Sequence, residues 1–461
     1  MKLKLLRYKY GLFALLVVWM TTCGSSDEDP DDPNENPTEE DGVKYVKLEN
    51  QDFETEINFA DGSGVWKRVN FSNANDVQVE WSKTGGYENS GCIKITALPA
   101  NGKVGVGVSQ KITNLKPNTL YRFTAKVKIS DVADGRGANL FTSSTGQIWN
   151  SSEFQLGTNL TWKSIFIDFI SEKDGTAELI CGLGFRYGGT SSGGMATGVV
   201  WYDEVRLIEV QEELLVITGE YVDMILMPKT AAPYDPDKLK NWVAHLDEVY
   251  QSYETLIGDR PYGGAKIRVL STYGIESGYW ALAGNPILWN ANYVNSTLQE
   301  ISTYDNWVFG IMHEMGHVFN TGNFEGKYQG AWNWNDEMFA NFRMYYALTQ
   351  HEDSYVYINS KLYKSAEISA MYEDVYKTTL QIGLKNSGDG LMFVLIRLSE
   401  QLGWEAYRKA FQDMYKNSPV NFSSNWLKFR YLLDTLQKYT VLDVYSLIPE
   451  SELETIRQSL D

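Results

Sequence analysis

The chain is 461 residues long and 43% hydrophobic, enough for more than one hydrophobic core, so several domains are expected. Its 59 acidic residues outnumber 41 basic ones for a net charge of −18, and no basic footprint is present, so nucleic-acid binding is excluded as a function class. No internal repeat and no transmembrane helix is visible in the sequence.

The first element is a targeting segment, residues 1–23. Lys2, Lys4, Arg7 and Lys9 form a basic start, and the apolar stretch Leu12–Met20 is too brief to span a bilayer. It ends at Thr21-Thr22-Cys23-Gly24, and a cysteine directly after such a stretch is the acceptor pattern of bacterial lipoproteins. Cys23 is therefore the expected lipidation site, with the membrane as a partner through that anchor. Residues 24–42 carry nine acidic and no basic residues and three prolines. Such a segment repels itself and has no apolar surface to bury, so a disordered tether is expected. An acidic run just after a lipidated cysteine also resembles the export signal of surface-exposed lipoproteins in some Gram-negative bacteria, which implies an outer-membrane protein facing outward.

Residues 43–210 read as an all-β sandwich. Tyr121–Ile129 and Val200–Leu207 alternate with the period of half-buried strands, and turn signals such as Lys116-Pro117-Asn118, Gly85-Gly86 and Gly188-Gly189 separate short strands. The stretches Asp52–Glu54, GYENSGCIKI, LKPNTLYRFTAKVK and VWYDEVRL resemble the jelly-roll carbohydrate-binding modules of families four, nine and twenty-two. That resemblance implies glycan binding on exposed aromatic faces, for which Trp66, Trp81, Tyr87, Trp149 and Tyr187 are the candidates. Glu54 and Asp203 are candidates for a structural Ca2+ site. Cys92 and Cys181 fit either a disulfide or two buried thiols. Deleting this domain is expected to leave cleavage of a short soluble glycopeptide nearly intact and to slow digestion of a large mucin, or, if it is a spacer packed on the second half, to harm folding and both activities together.

From residue 211 to 461 the pattern turns mixed α/β and then mostly helical. YVDMILM reads as a strand, DPDKLKNWVAHLDEVYQSYETLIG as an amphipathic helix with Asp235 near its start, KIRVLS as a strand and GYWALAGNPILW as an edge strand. Ser302 and Asp305 have the spacing of a capping box ahead of the next helix.

That helix carries His313-Glu314-Met315-Gly316-His317 in an apolar run, with two of the four histidines of the chain. Histidines four apart lie one above the other on a helix, so both rings can reach one metal ion, and Glu314 is placed to take a proton from the attacking water. A metzincin has Gly three and His six residues after the second histidine; Asn320 and Asn323 stand there, which excludes that class. The remaining zinc class draws its third ligand from a carboxylate on a following helix. Glu337, near the start of the helical stretch Asp336–Gln350 and twenty residues past His317, is the candidate, with Asp336 and Glu325 as rivals. Asn341, one turn on, is placed to accept the free ring N–H of a ligand histidine. Trp280, Trp332 and Trp334 are candidates to line the substrate groove, Trp332 and Trp334 equally to pin the loop; Tyr345, Tyr346 and His351 are candidates to donate to an oxyanion, with packing the expected role of the two tyrosines.

H-E-x-G-H, a Trp-containing loop and E-x-x-x-N together resemble the enhancin-like gluzincins (peptidase family M-sixty). Ser277–Ile287 is similar to the segment ahead of that family's active-site helix, and Asp389–Tyr415 to its C-terminal helical part, so the resemblance covers roughly residues 215–450. It implies a zincin-type α+β fold, Zn2+ on His313, His317 and Glu337, Glu314 as base, and a monomeric endopeptidase acting on O-glycosylated, mucin-like glycoproteins. The competing expectation is a glycan-binding surface lipoprotein whose peptidase half is a silent scaffold.

Overall fold

A computed structural model of the chain describes residues 39–461 except 41–42, 60–61, 63, 71–76, 118, 136, 144–149, 153, 172–173, 185–194, 212–213, 227–233, 273–278, 321–323, 325–329 and 381–387. Cys23, the leader, most of the acidic tether, Trp149, Tyr187 and Glu325 lie outside the described residues. One boundary shifts: Glu39–Glu40, expected in the tether, is a short strand antiparallel to Val43–Val46.

The first half is a sandwich of two antiparallel sheets. One runs Glu39–Glu40, Val43–Val46, Thr197–Glu209, Cys92–Ala97, Gln78–Ser82, and on the other side of Thr197–Glu209 it continues through Leu120–Ala133 to Gly157–Ile170. The other runs Lys67–Asn70, Val106–Ile112, Ala177–Leu183, Ala138–Ser143, Asn150–Ser151. Alternation decides the faces: Tyr121, Phe123, Ala125, Val127 and Ile129 enter the core while Arg122, Thr124, Lys126 and Lys128 stay half-exposed. The same rule resolves the cysteines, which are free thiols. Cys181 lies in the core between the sheets, whereas Cys92 has the opposite parity to the core residues Ile93 and Ile95 and faces away. Burial pushes the Cys92 thiol up to about 11, and the nearby Asp203 charge adds to the shift.

In the second half, a five-stranded sheet has the order Leu215–Thr218, Val222–Leu226, Ile267–Thr272, Ile287–Asn290, Ala281–Leu282, with the three central strands parallel and both edge strands antiparallel to their neighbours. Helix α1 (Pro236–Ile257) is capped by the Asp235 side chain, which accepts from the Asp237 N–H. It lays Leu239, Trp242, Val243, Leu246, Val249, Tyr250 and Tyr253 against the sheet at helical spacing. Helix α2 (Ala291–Tyr304) follows, capped by Asn290. It was not anticipated, and it contains Ser302, so the expected capping box does not form: Asp305 instead ends α2 in the left-handed conformation. Helix α3 (Phe309–Val318) carries the HEMGH run, and α4 (Asp336–Gln350) packs across it. Helices α5 (Ile368–Leu380), α6 (Gly388–Leu402), α7 (Trp404–Asn417), α8 (Asn425–Gln437) and α9 (Glu450–Leu460) complete a helical lobe. No helix of the described residues is long and apolar enough to cross a membrane.

The sandwich is packed against the second half. Leu120 and Ile170 of the sandwich form a small core with Ile225, Leu270 and Leu288 of the five-stranded sheet. Beside it, Thr272 Oγ1 donates to Asp168 Oδ2 at 2.9 Å, and Arg122 grips the same carboxylate at 2.8 and 3.0 Å. One sheet surface of the second half is thus covered by the first, which is the packing that the spacer alternative requires.

Candidate metal centre

The site starts from a close approach of two backbones. A Cβ on Gly316 would lie 2.8 Å from the Ala340 carbonyl oxygen and 2.9 Å from its Cα, so only glycine lets α3 and α4 cross here. The crossing sets the histidines of α3 opposite the first turn of α4, which is started by the Asn335 side chain accepting from the Met338 N–H at 3.1 Å. Tyr253 of α1 fixes α3 from behind, its hydroxyl donating to the Met312 carbonyl at 2.8 Å.

His313 Nε2, His317 Nε2 and Glu337 Oε2 form a triangle with edges of 3.0, 3.1 and 3.4 Å. No other group of three or more metal-ligating side chains occurs among the described residues. Four-coordinate zinc with bonds of about 2.0–2.1 Å has ligand–ligand edges of about 3.3 Å, so the triangle fits that ion. Tautomers agree. Asn341 Oδ1 accepts from His313 Nδ1 at 2.7 Å and Asp336 Oδ2 from His317 Nδ1 at 2.7 Å, which leaves both Nε2 lone pairs aimed into the triangle. Two such lone pairs 3.0 Å apart repel unless a proton or a cation sits between them. In the metal-free protein a proton takes that role on His317: burial opposes its charge, but hydrogen bonds to Asp336 and Glu337 override this and push its pKa up to about 10. The neighbouring imidazoles of His313 and His317 hold Glu337 far below the usual carboxylate range. A metal ion would displace that proton. The Glu337 side chain is 74% exposed, so the triangle opens to solvent on its side.

Glu314 points the other way around the helix from the Gly316 crossing. It is half-buried and accepts from the Ala283 N–H, one residue beyond the edge strand Ala281–Leu282. Burial raises its pKa, with the two histidines opposing the shift. A carboxylate raised in this way is a better proton acceptor than a free one.

Beneath the triangle lies a group that the sequence did not disclose. Arg343 is fully buried; it donates to the Gly316 carbonyl at 2.9 Å and to the Tyr415 hydroxyl at 2.9 Å, and lies 4.0 Å from Asp336 Oδ1. Tyr415 in turn donates to the Phe319 carbonyl at the end of α3. Burial works against the Asp336 charge, but His317 and Arg343 outweigh it and hold its pKa below the carboxylate norm. The seven-residue spacing of Asp336 and Arg343, two turns along one helix face, was the available signal. Asp336 orients His317 and does not belong to the ligand triangle.

Several expected contact residues are corrected. Trp332 is fully buried among Phe339, Phe411 and Tyr415, so it is core and lines no groove. Tyr345 and Tyr346 are 5% and 1% exposed and take the packing role expected of them, Tyr345 reaching toward Glu400 and Tyr346 lying on Trp404. His351 ends α4 beside Trp307 and Ser252. Trp334 is half-buried on Phe339 and Phe429, and Trp280 sits over Gly310 in the first turn of α3. In the sandwich, Trp66 is buried core with its indole N–H on the Glu49 carbonyl, and Trp81 is partly buried with its indole N–H on the Phe53 carbonyl at 2.6 Å. Tyr87 stays half-exposed. Asp203 is fully buried and accepts from Tyr87 N–H, the Ser90 hydroxyl and Glu204 N–H, while Glu54 accepts from Gly91 N–H. The two carboxylates tie a turn together and form no calcium-type cluster among the described residues.

No family model matches the chain, and no curated protein matches it. Among solved structures, it is similar to a metallopeptidase from Bacteroides thetaiotaomicron at 13% identity, over 75% of this chain and 65% of that one, with a TM-score of 0.36. It is also similar to TmCBM61, solved in complex with β-1,4-galactotriose, at 20% identity over 35% of this chain and 97% of that one, with a TM-score of 0.25. A third likeness is to the CBM22-1 xylan-binding domain from Paenibacillus barcinonensis Xyn10C, at 14% identity over 35% of this chain and 93% of that one, with a TM-score of 0.25. At these identities and scores, neither activity nor ligand carries over to this chain.

Proposed function

We propose that this chain is a zinc endopeptidase that hydrolyses peptide bonds in O-glycosylated, mucin-like glycoproteins, with the sandwich binding their glycans. The observation that carries the reading is the triangle of His313, His317 and Glu337 with the half-buried, pKa-raised Glu314 on the same helix. A silent scaffold has no use for a base next to the ligand set. His313, His317 and Glu337 would hold the ion, with Asn341 and Asp336 fixing the two imidazole tautomers. When bound, zinc supplies a Lewis acid that lowers the pKa of water toward neutrality. Glu314 takes the proton of the attacking water and passes it to the leaving amine. The Ala283 N–H orients that carboxylate from the neighbouring edge strand.

The test is digestion of an O-glycosylated mucin-type protein before and after enzymatic removal of its glycans. Cleavage that depends on the glycans supports the reading, and equal cleavage of both forms reduces it to a general peptidase. The proposed location, an outer-membrane lipoprotein facing outward, rests on Cys23 and the acidic run. Cys23→Ser should release the protein from the membrane fraction, since one residue carries all the lipid. Complete protection from added protease on intact cells would contradict the outward orientation.

A further inference from the structure

The solvent face of the larger sandwich sheet carries an aromatic and cationic row that folding does not require. Lys94, Trp201 and Lys128 stand in register on three neighbouring strands, and Trp162 follows on the next. Their chain neighbours Ile93, Ile95, Val200, Tyr202, Val127 and Ile129 are all buried, so this row has the outward parity and both indoles are half-exposed. Tyr87 extends the row, its ring 6.5 Å from Trp162 and nearly perpendicular to it.

The charges lying over these rings are all lysines. Lys128 Nζ lies 4.7 Å from the Trp162 centroid and 4.9 Å from that of Trp201, Lys94 lies 5.9 Å from Trp201, and Lys126 lies 4.6 Å from Tyr87. None of the three lysines forms an ion pair among the described residues, on a chain where acidic residues outnumber basic ones 59 to 41. Glu80, in register with Lys94, does not neutralise it through an ion pair. The Tyr87 turn is fixed in place: the buried Asp203 holds the Tyr87 N–H at 2.7 Å and the Ser90 hydroxyl at 2.5 Å. A Cβ on Gly86 would lie 2.6 Å from the same carboxylate, so the turn fits tightly against it. Lys128 also donates to the Gly85 carbonyl at 3.0 Å.

Flat aromatic faces take the C–H faces of sugar rings, and unpaired ammonium groups take anions. Recognition of a planar carboxylate favours the arginine fork, yet the nearest arginines of this sheet, Arg122 and Arg206, are committed to Asp168 and Asp52. Lysine acts as a point charge, which takes a sulfate ester without a bidentate geometry. We propose that this face binds a sulfated oligosaccharide, with sugar rings on Trp162 and Trp201 and sulfate esters at Lys128, Lys94 and Lys126. The proposal rests on the reading of the sandwich as glycan-binding and adds the charge class of the glycan.

The test titrates the full chain by calorimetry with a sulfated galactan oligosaccharide, its desulfated form, a galacturonan oligosaccharide of equal length and polyglutamate, at low and at moderate salt. The sulfated form should bind about tenfold more tightly than the desulfated one, and Lys128→Gln should remove most of that difference. Trp162→Ala should weaken binding at both salt concentrations, since stacking is not screened. Melting temperatures of both variants, with Lys126→Gln as a further one, control for folding. Equal affinity for the desulfated form overturns the proposal and leaves the glycan-binding reading standing. Tighter binding of galacturonan overturns the sulfate assignment. Binding of no saccharide sinks both readings, while binding that polyglutamate matches and Trp162→Ala leaves unchanged reduces the face to a charged patch.

Discussion

The candidate metal centre and the aromatic face of the sandwich are built by opposite strategies. In the centre, two helices cross at van der Waals distance and every ligand histidine is held by a second side chain, Asn341 for His313 and Asp336 for His317. Arg343 ties that assembly together from inside the core. On the sandwich, rings and lysines stand on a sheet surface, in contact mainly with one another. Chemistry at a fixed atom demands the first arrangement, because misplacement of a ligand or base by an ångström costs orders of magnitude in rate. Holding a polymer needs only the second.

The sharpest way to break this contrast is at Glu314. Glu314→Gln keeps size and packing but cannot take a proton, so turnover should fall at least about a hundredfold, some 2.7 kcal/mol of barrier. Metal content should stay unchanged, and an unaltered rate at equal metal would mean that the proton goes elsewhere. Deletion of residues 43–210 acts on stability instead. It uncovers Ile225, Leu270 and Leu288, each worth about 1.5–3 kcal/mol of burial, so the remaining half should melt at much lower temperature and lose activity on short and long substrates alike. Retained stability would make the sandwich a detachable module.

A smaller effect is expected at the crossing itself. Gly316→Ala forces a methyl against the Ala340 backbone and should cost about 1–3 kcal/mol while loosening zinc retention, because it parts the histidines from Glu337. The same substitution at Gly85, where an added Cβ meets nothing within 4 Å, should leave zinc untouched. The smallest effect concerns pH. Burial holds the His351 pKa below that of a free histidine, with Glu248 only partly offsetting it and His245 opposing protonation further. The folded protein thus binds that proton less readily than the unfolded chain. The stability contributed by neutral His351 is present above the unfolded pKa of about 6.5 and is lost as pH falls below it. The melting-temperature gap between wild type and His351→Gln should therefore narrow from pH 7.5 to pH 5, and a gap that widens would reverse the sign.

Much of the centre was legible because it is local. Two histidines and a glutamate on one helix, and Glu337 with Asn341 one turn apart on another, are spacing facts, and the structure brings these side chains together. The seven-residue spacing of Asp336 and Arg343 was visible, but their role was not legible, since Arg343 works through Gly316, Phe319 and Tyr415, partners remote in sequence. Helix α2 escaped because ANYVNSTLQEISTY is rich in residues of modest helix propensity, and its Asn290 cap lies at the end of a strand. Aromatic residues misled most. Trp66 was a candidate sugar platform and Trp332 a candidate groove wall, and both are core, while Trp162 and Trp201 were passed over although Trp201 has the polar parity of an alternating strand. A large ring is buried or exposed according to its neighbours across the sheet, and composition alone carries no such information.

The central claim is that three side chains from two crossing helices hold one zinc ion. Elemental analysis of the purified full chain, beside His313→Ala and Glu337→Ala, tests it most directly. About one zinc per chain is expected in the wild type, with His313→Ala emptied and Glu337→Ala binding it much more weakly. A wild type without zinc, or both variants retaining it in full, would contradict the account.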